Sequence, residues 1–343
     1  MRSAEKAYQS RNVLFPHYRL QRSSSKGIAY CLSLVVFFIW VLIERPDVVH
    51  WHELKIYRLE YYLVRCLKRQ SIRCLLSVHD VLHHEKKAAP PVLGKLYRLF
   101  DGVIVHANDS RRLLLELFGI DSDRVHVIPV GEYSGMTERA PTDKAASRHE
   151  LDLSPGNKVI LFFGYIRRYK GLDLLLKAMP TVLRSLPETV LMVVGESKER
   201  FQYYEQLVSR LGIHKAVRAV PTYIPIDRVK LYFSASDVVA LPYRNIYQSG
   251  VVHLAFAYHR PVIATRVGGL PEVVRHGVDG FIVPPEDPKA LAETLVRALS
   301  NPHKLETMGE AAFLHSQNTL SWDWIAGKTV ELYNATLSKS KPR

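Results

Sequence analysis

The second half of the chain alternates short apolar runs with segments of helical spacing. Lys158–Phe163 (KVILFF) is a continuous apolar run, short enough for a strand buried on both faces. Leu172–Leu186 then carries its apolar residues at helical spacing and ends before Pro187. The same couple repeats as strand Val190–Val194 with helix Glu199–Leu211, closed by Gly212, and as Val217–Val220 with Ile226–Ala235. Strand Asp237–Leu241 precedes helix Ser249–Tyr258, and strand Pro261–Thr265 precedes a short helix, Leu270–Arg275. Phe281–Val283 is the last strand; Asp287-Pro288 supplies an N-cap and a first-turn proline for helix Lys289–Leu299. So regular an alternation predicts a parallel α/β sheet, doubly wound, with ligands beyond the carboxyl ends of its strands. The loops after Phe163, Val194, Val220, Leu241 and Thr265 are therefore the places to look for function.

The first half is less regular but of the same class. Asp47–His50, Cys74–Val78, Gly102–His106 and Val125–Pro129 read as strands; Lys55–Lys68 and Ser110–Phe118 read as helices. Residues 133–155 are polar, with Gly, Pro and Ser, and read as a linker in which Arg148–Leu151 forms a short lead-in helix. Gly27–Ile43 is a run of 17 residues without a charge. It reads either as a buried helix leading into a strand or as a membrane-embedded helix.

A length of 343 residues suits two α/β domains. Lys and Arg number 47 against 33 Asp and Glu. The excess is concentrated in residues 1–30 and in 55–73, and it points to anionic partners. No zinc-finger, RNP or homeodomain pattern is present, so nucleic acid is not the expected partner. Cys31, Cys66 and Cys74 show no C-x-x-C spacing and read as reduced thiols of a cytoplasmic protein.

Five constellations carry candidate chemistry. Gly164-Tyr-Ile-Arg167-Arg168-Tyr-Lys170-Gly171 lies between a buried strand and a helix. That position offers free backbone N–H groups and fixed positive charge to an anion, or it is a solvated basic turn. Gln248-Ser249-Gly250-Val251 opens a helix; Ser249 and Gly250 either present amides to a phosphate or form a plain serine cap. Val267-Gly268-Gly269-Leu270-Pro271-Glu272 allows close approach of backbone to ligand, with Glu272 either accepting from sugar hydroxyls or serving the helix dipole. His79, His83, His84 and Glu85 cluster after a strand, in a loop lacking the helical spacing of a metal site, so no metal is expected there. Leu54–Arg73 interleaves cations with Leu and Tyr, as on a bilayer-facing helix or a solvated one.

Taken together, these strings resemble family-four (group 1) glycosyltransferases of the GT-B fold. FFGYIRRYKGLDLLLKA, SDVVALPYRNIYQSGV, FAYHRPVIATRVGGLPEVVRHGVDGFIVPPED and LSWDWIAGKTVELY carry the resemblance, with VHDVLHHE and RVHVIPVGEY in the first half. It runs from about Pro46 to Leu337 and is strongest over Gly164–Pro285. It implies two Rossmann-like domains facing a cleft: residues 1–150 on the acceptor side and 151–320 binding a nucleotide sugar. A helix and tail over 321–343 would cross back to the first domain.

By that resemblance, Arg167 and Lys170 hold the diphosphate, with the amides of Ser249, Gly250 and Val251 and the turn at Gly164 completing the cradle. Thr222 and Tyr223 flank the base, Gly268, Gly269 and Glu272 lie near the sugar or ribose, and His79 faces the donor sugar. Activity is expected to be retaining and metal-independent, without a cofactor beyond the UDP- or GDP-sugar itself. The acceptor is expected to be a polysaccharide or lipid-linked glycan, and the basic first half adds an anionic membrane surface at the inner face. Three departures stand out. Ile246 and Leu254 replace two glutamates common in the family, His259 replaces a glycine, and Arg11–Tyr18 is a poor version of the usual opening strand and glycine-rich loop. A sugar-nucleotide epimerase, or a non-catalytic nucleotide-sugar-binding scaffold of the same fold, are the rival readings.

Overall fold

The computed structural model describes residues 25–82, 90–133 and 143–339. The first domain contains α1 (Ser25–Glu44), β1 (Val48–Trp51), α2 (Tyr57–Arg69), β2 (Arg73–Val78), α3 (Pro91–Tyr97), β3 (Gly102–Val105), α4 (Asn108–Phe118) and β4 (Val125–Val127). The four strands are parallel and ordered β1-β2-β3-β4. Strand periodicity sorts their side chains. Cys74, Leu76, Val78, Val103 and Val105 meet α2, α3 and α4 on one face, while Leu75 and Ile104 point to the other. Helices that connect neighbouring parallel strands in sequence all fall on one side, because such crossovers are right-handed.

Helix α1 is buried on one side only, which corrects the expectation of a buried helix. Val41 is sealed in the core and Phe37 packs edge-on against Trp51, with ring centroids 5.8 Å apart. Leu32, Val35, Val36, Ile39, Leu42 and Ile43 are exposed. Among the described residues, no helix is long and apolar enough to cross a membrane.

The second domain begins with α5 (Lys144–Glu150), inside the segment read as a linker. Arg148 ties it to the second domain, donating to Ala235 O at 3.1 Å and to Asp237 at 2.8 Å. The expected boundary at residue 150 thus follows a helix that packs with the second domain. After it come β5 (Lys158–Phe163), α6 (Leu172–Ser185), β6 (Thr189–Val194), α7 (Gln202–Arg210), β7 (Val217–Val220), α8 (Ile226–Ala235) and β8 (Val238–Leu241). Then follow α9 (Gly250–Ala257), β9 (Val262–Thr265), α10 (Leu270–Val273), β10 (Gly280–Val283), α11 (Pro288–Leu299), α12 (Pro302–Thr319) and α13 (Trp322–Ser338).

The sheet is wholly parallel in the order β10-β9-β8-β5-β6-β7. Val159 and Leu161 face α8 and α9, whereas Ile160 and Phe162 face α6 and α11, so both faces are covered, as the unbroken apolar strands require. The strand order reverses between β5 and β8, which opens a crevice at their carboxyl ends.

Helix α13 returns to the first domain. Ile325 and Leu332 cover Leu75, Ile104 and Ile128, so α13 supplies the face that the connecting helices of the first sheet leave bare. His50 Nδ1 and the Tyr333 hydroxyl lie 2.7 Å apart, and Trp322 Nε1 donates to Glu132 O at 2.9 Å.

Candidate functional site in the interdomain cleft

A cavity of about 360 Å³ opens at the strand-order reversal. That size is within the usual range for a small-molecule site. Its walls come from the loops after β5 (Gly164, Tyr165, Tyr169, Lys170), β6 (Gly195, Glu196), β7 (Tyr223, Ile224) and β8 (Tyr243, Gln248), together with Ser249, Gly250, Val251 and Leu254 on α9. Tyr133, at the end of the first domain, closes one side. A second cavity, about 210 Å³, lies by Lys158 and Asp237 at the amino ends of the strands, away from this crevice.

Local backbone geometry places the lysine. Gly171 has φ +69°, and a Cβ there would stand 2.0 Å from Pro242 O, so only glycine fits. The single 3₁₀ turn Arg168–Lys170 that it ends folds Lys170 back until Nζ would lie 2.9 Å from a Cβ on Gly164. Arg244 braces this turn, donating to Arg168 O at 2.9 Å and to both Asp173 oxygens at 2.7 and 2.8 Å. Burial works to raise Asp173, but the Arg244 guanidinium overcomes it and holds the carboxyl below its ordinary value.

Lys170 is 8% exposed. Burial lowers its pKa; Tyr169 opposes that and Arg167 reinforces it. The ammonium stands 5.5 Å from the Tyr243 ring centre and, among the described residues, pairs with no carboxylate. A buried cation with no protein carboxylate beside it is costly, so an anion is favoured at that point. At the same mouth, Ser249 is the cap residue of α9 but its side chain makes no capping hydrogen bond. The first amides of α9 therefore remain for a ligand.

The remaining expected site residues divide. Gly164, Lys170, Tyr223, Ser249, Gly250 and Val251 meet around one cavity, while Arg167 is half-buried beside that wall and Thr222 is exposed outside it. Gly268 and Gly269 pack on the backbone of Ile246 and Tyr247. Glu272 turns away from the cavity to the first domain, accepting from Asn108 N at 2.7 Å and Asp109 N at 3.0 Å. His79 is exposed at the end of β2, its ring 4.6 Å from that of His106. His83, His84 and Glu85 lie outside the described residues, as does Arg11–Tyr18. Among the described residues, no group of three or more His, Cys, Asp or Glu is placed to hold a metal.

Comparison with known proteins follows the same division of the chain. The family model described as Glycosyltransferase Family 4 matches residues 3–131, and that described as Glycosyl transferases group 1 matches residues 157–301. The chain belongs to the group 1, family 4 glycosyltransferases. Two curated relatives are named D-inositol 3-phosphate glycosyltransferase. The one from Segniliparus rotundus is 33% identical over 71% of this chain and 54% of its own length. The one from Nocardia farcinica is 33% identical over 69% and 53%. The chain thus spans about half the length of these relatives.

Solved structures show the GT-B fold. Sucrose-phosphate synthase from Thermosynechococcus elongatus superposes with a TM-score of 0.75 at 23% identity, covering 94% of this chain and 81% of that one. Anabaena HepE in complex with UDP superposes with a TM-score of 0.76 at 19% identity, covering 92% and 84%.

Ile246 and Leu254, expected from the resemblance to stand where glutamates are common, both line the cavity, so its wall there is aliphatic. Glu196 is the one carboxylate among the lining residues, and Lys198 Nζ is 2.5 Å from it. His259, expected from the resemblance to replace a glycine, adopts φ +54°. Sequence reasoning missed Tyr243 and Arg244, although both directly follow the carboxyl end of β8, where the strand-end rule points. Tyr133 had no such signal: it enters the site only because the domains meet.

Proposed function

We propose that this protein is a retaining glycosyltransferase that moves a sugar from a UDP- or GDP-sugar to a polysaccharide or lipid-linked glycan. One observation carries the reading: a buried lysine that, among the described residues, has no carboxylate partner lines the same cleft as the amino end of α9, which Ser249 does not cap, at the strand-order reversal. A departing nucleoside diphosphate gains negative charge as the glycosidic bond breaks. Charge fixed in advance at that point lowers the barrier.

In this reading Lys170 and the amides of Gly250 and Val251 take the diphosphate, with Arg167 adding charge at the mouth. Tyr223 and Thr222 flank the base. His79, from the opposing domain, hydrogen-bonds the sugar, and the leaving phosphate accepts the proton of the attacking hydroxyl. No protein nucleophile and no metal enter the scheme. HepE, whose solved structures hold UDP and UDP-glucose, supports a nucleotide-sugar donor through its similarity in fold.

The aliphatic wall at Ile246 and Leu254 favours one second reading, a binding protein without turnover, because it offers no carboxylate to the sugar there. Labelled UDP- and GDP-sugars incubated with the protein and membrane extract separate the readings. Label appearing in glycan supports the transferase. Conversion of donor without acceptor makes it an epimerase, and donor binding with no product makes it a scaffold. Absence of nucleoside diphosphate binding by calorimetry would remove both the transferase and the scaffold.

A further inference from the structure

We infer that the cavity at the amino ends of β5 and β8 is a second anion site, built for the phosphate group of a small molecule. It lies at the opposite end of the sheet from the donor cleft, and the inference does not rest on the proposed transferase activity. Among the described residues, four cations line it: Lys144 and Arg148 from α5, Lys158 from β5 and Arg260 from the turn before β9. Two acids, Asp237 and Glu306, stand against them. The cations come from three separate parts of the chain, so the fold brings them together and no single basic run does.

Asp237 is already committed. It pairs with Lys144 at 2.6 Å and Arg148 at 2.8 Å, and accepts from the Val159 amide at 2.7 Å. Lys158 turns to Glu188, outside the lining, at 3.1 Å. Arg260 is the group left over. Its Nε donates to Phe233 O at 2.9 Å and its Nη2 to Ser234 O at 3.1 Å, at the carboxyl end of α8. Among the described residues, Nη1 has no protein acceptor and no carboxylate pairs with the guanidinium. Burial lowers the Arg260 pKa; Asp237 and Glu306 oppose that without offsetting it, and Arg148 reinforces it.

A guanidinium largely withdrawn from water, near a second one, is stabilised by an anion, and phosphate oxygens match its fork of donors. Size narrows the ligand. The cavity holds about 210 Å³ against about 360 Å³ in the donor cleft, which suits orthophosphate or a small phosphate ester and not a nucleotide sugar. An anion there would bridge α5, β5 and the first turn of α12, so it should stabilise the folded chain.

Phosphate also suits the donor cleft, so the test uses the full chain carrying Lys170→Ala. Calorimetry titrates it with orthophosphate and with glycerol 3-phosphate, at constant ionic strength set by chloride. One anion should bind per chain and raise the unfolding temperature. Gly156 lines the cavity, and a Cβ there would meet nothing within 4 Å, so a further Gly156→Glu brings a carboxylate to the site without a clash. It should weaken binding at least about tenfold while thermal unfolding in chloride stays the same. Arg260→Gln, which keeps a donor for the α8 carbonyls, should weaken binding likewise. Tighter binding of the ester than of the free ion identifies a phosphorylated metabolite as the ligand, and equal binding identifies the ion; either result sustains the site. No binding of either compound to the Lys170→Ala chain, or binding that Gly156→Glu leaves unchanged, overturns the inference.

Discussion

The carboxylate of Glu272, in the second domain, caps the amino end of α4 in the first, accepting from the Asn108 amide at 2.7 Å and from Asn108 Nδ2 at 2.8 Å. Helix α4 has Ala107 at its own cap position, with no side chain to do this work. A glutamate expected at the sugar instead holds the two domains together through a helix dipole. Beside it, Gln248 donates to His106 O at 2.5 Å and the Leu82 amide to the Tyr247 hydroxyl at 3.2 Å. Glu272→Ala should therefore cost the closed arrangement about 1 kcal/mol, or about fivefold in the closed-to-open ratio. Small-angle scattering should show a larger radius of gyration, with a smaller change for Glu272→Gln, which keeps an acceptor oxygen. Equal scattering profiles for parent and alanine variant would show that the cap does not control closure.

Lys170→Ala should lower turnover by about 100-fold, as expected for a charge contact that strengthens in the transition state. KM for the donor should change less than kcat, because the contact matters most as the phosphate leaves. Steady-state kinetics with the donor found by screening decide the matter. A folded alanine variant with normal kcat would exclude the lysine from the chemistry.

Much of this site was legible in the sequence because strand-end loops of a parallel sheet are set by short-range rules. The apolar runs fixed β5, β6 and β8, and Gly164, Lys170, Ser249 and Gly250 followed from them. What could not be read depends on contacts between distant segments. Glu272 meets Asn108 across 164 positions of chain, and nothing in the pattern around either residue announces the other. The same holds for Tyr133, which lines the cavity because the end of the first domain lies against the second. Helix α1 shows the limit of periodicity: its residues are apolar all round, so spacing alone could not say which side faces the core. Helix α12 was missed because its buried residues, Leu305, Met308 and Ala312, are sparse among polar neighbours.

Arg244 holds the lysine turn from outside. Arg244→Ala removes both hydrogen bonds to Asp173, whose side chain is 10% exposed, and the bond to Arg168 O. Only the longer pair with Lys177, at 3.6 Å, would then remain to this largely buried carboxylate, and the loss should cost about 2 kcal/mol. Thermal unfolding should fall accordingly, and nucleoside diphosphate affinity should weaken as the Arg168–Lys170 turn loosens. An alanine variant as stable as the parent would mean that the ion pair contributes no net stability.

Acid sensitivity should trace to buried imidazoles. Burial, with a smaller contribution from His315, lowers His253 from its ordinary 6.5 to about 4, and burial likewise lowers His106 to about 4. Each is neutral in the fold, so between pH 6.5 and 4 the unfolded chain binds more protons than the folded one. Stability is therefore full above pH 6.5 and declines as pH falls toward 4, by up to about 3 kcal/mol for His253. His253→Leu should flatten that part of the profile. Chemical unfolding across this pH range checks it, and parallel profiles for parent and variant would assign the acid loss elsewhere.

His259 tests how this chain tolerates a side chain in a left-handed backbone conformation. Its backbone is left-handed, at φ +54°, which costs a residue with a Cβ about 1 kcal/mol. The side chain offers compensation: its ring stacks on Phe313 with centroids 4.0 Å apart, and Nδ1 lies 2.9 Å from Glu310. His259→Gly gives up the stack but also relieves the backbone, so its stability should stay within about 1 kcal/mol of the parent. His259→Ala gives up the stack and keeps the strain. The alanine variant should therefore unfold at a lower temperature than the glycine variant, by about 2 °C, reflecting a difference of about 1 kcal/mol. Differential scanning calorimetry on the pair reads this directly. If alanine proves as stable as glycine, the left-handed geometry carries no strain, and the histidine is there for its ring alone.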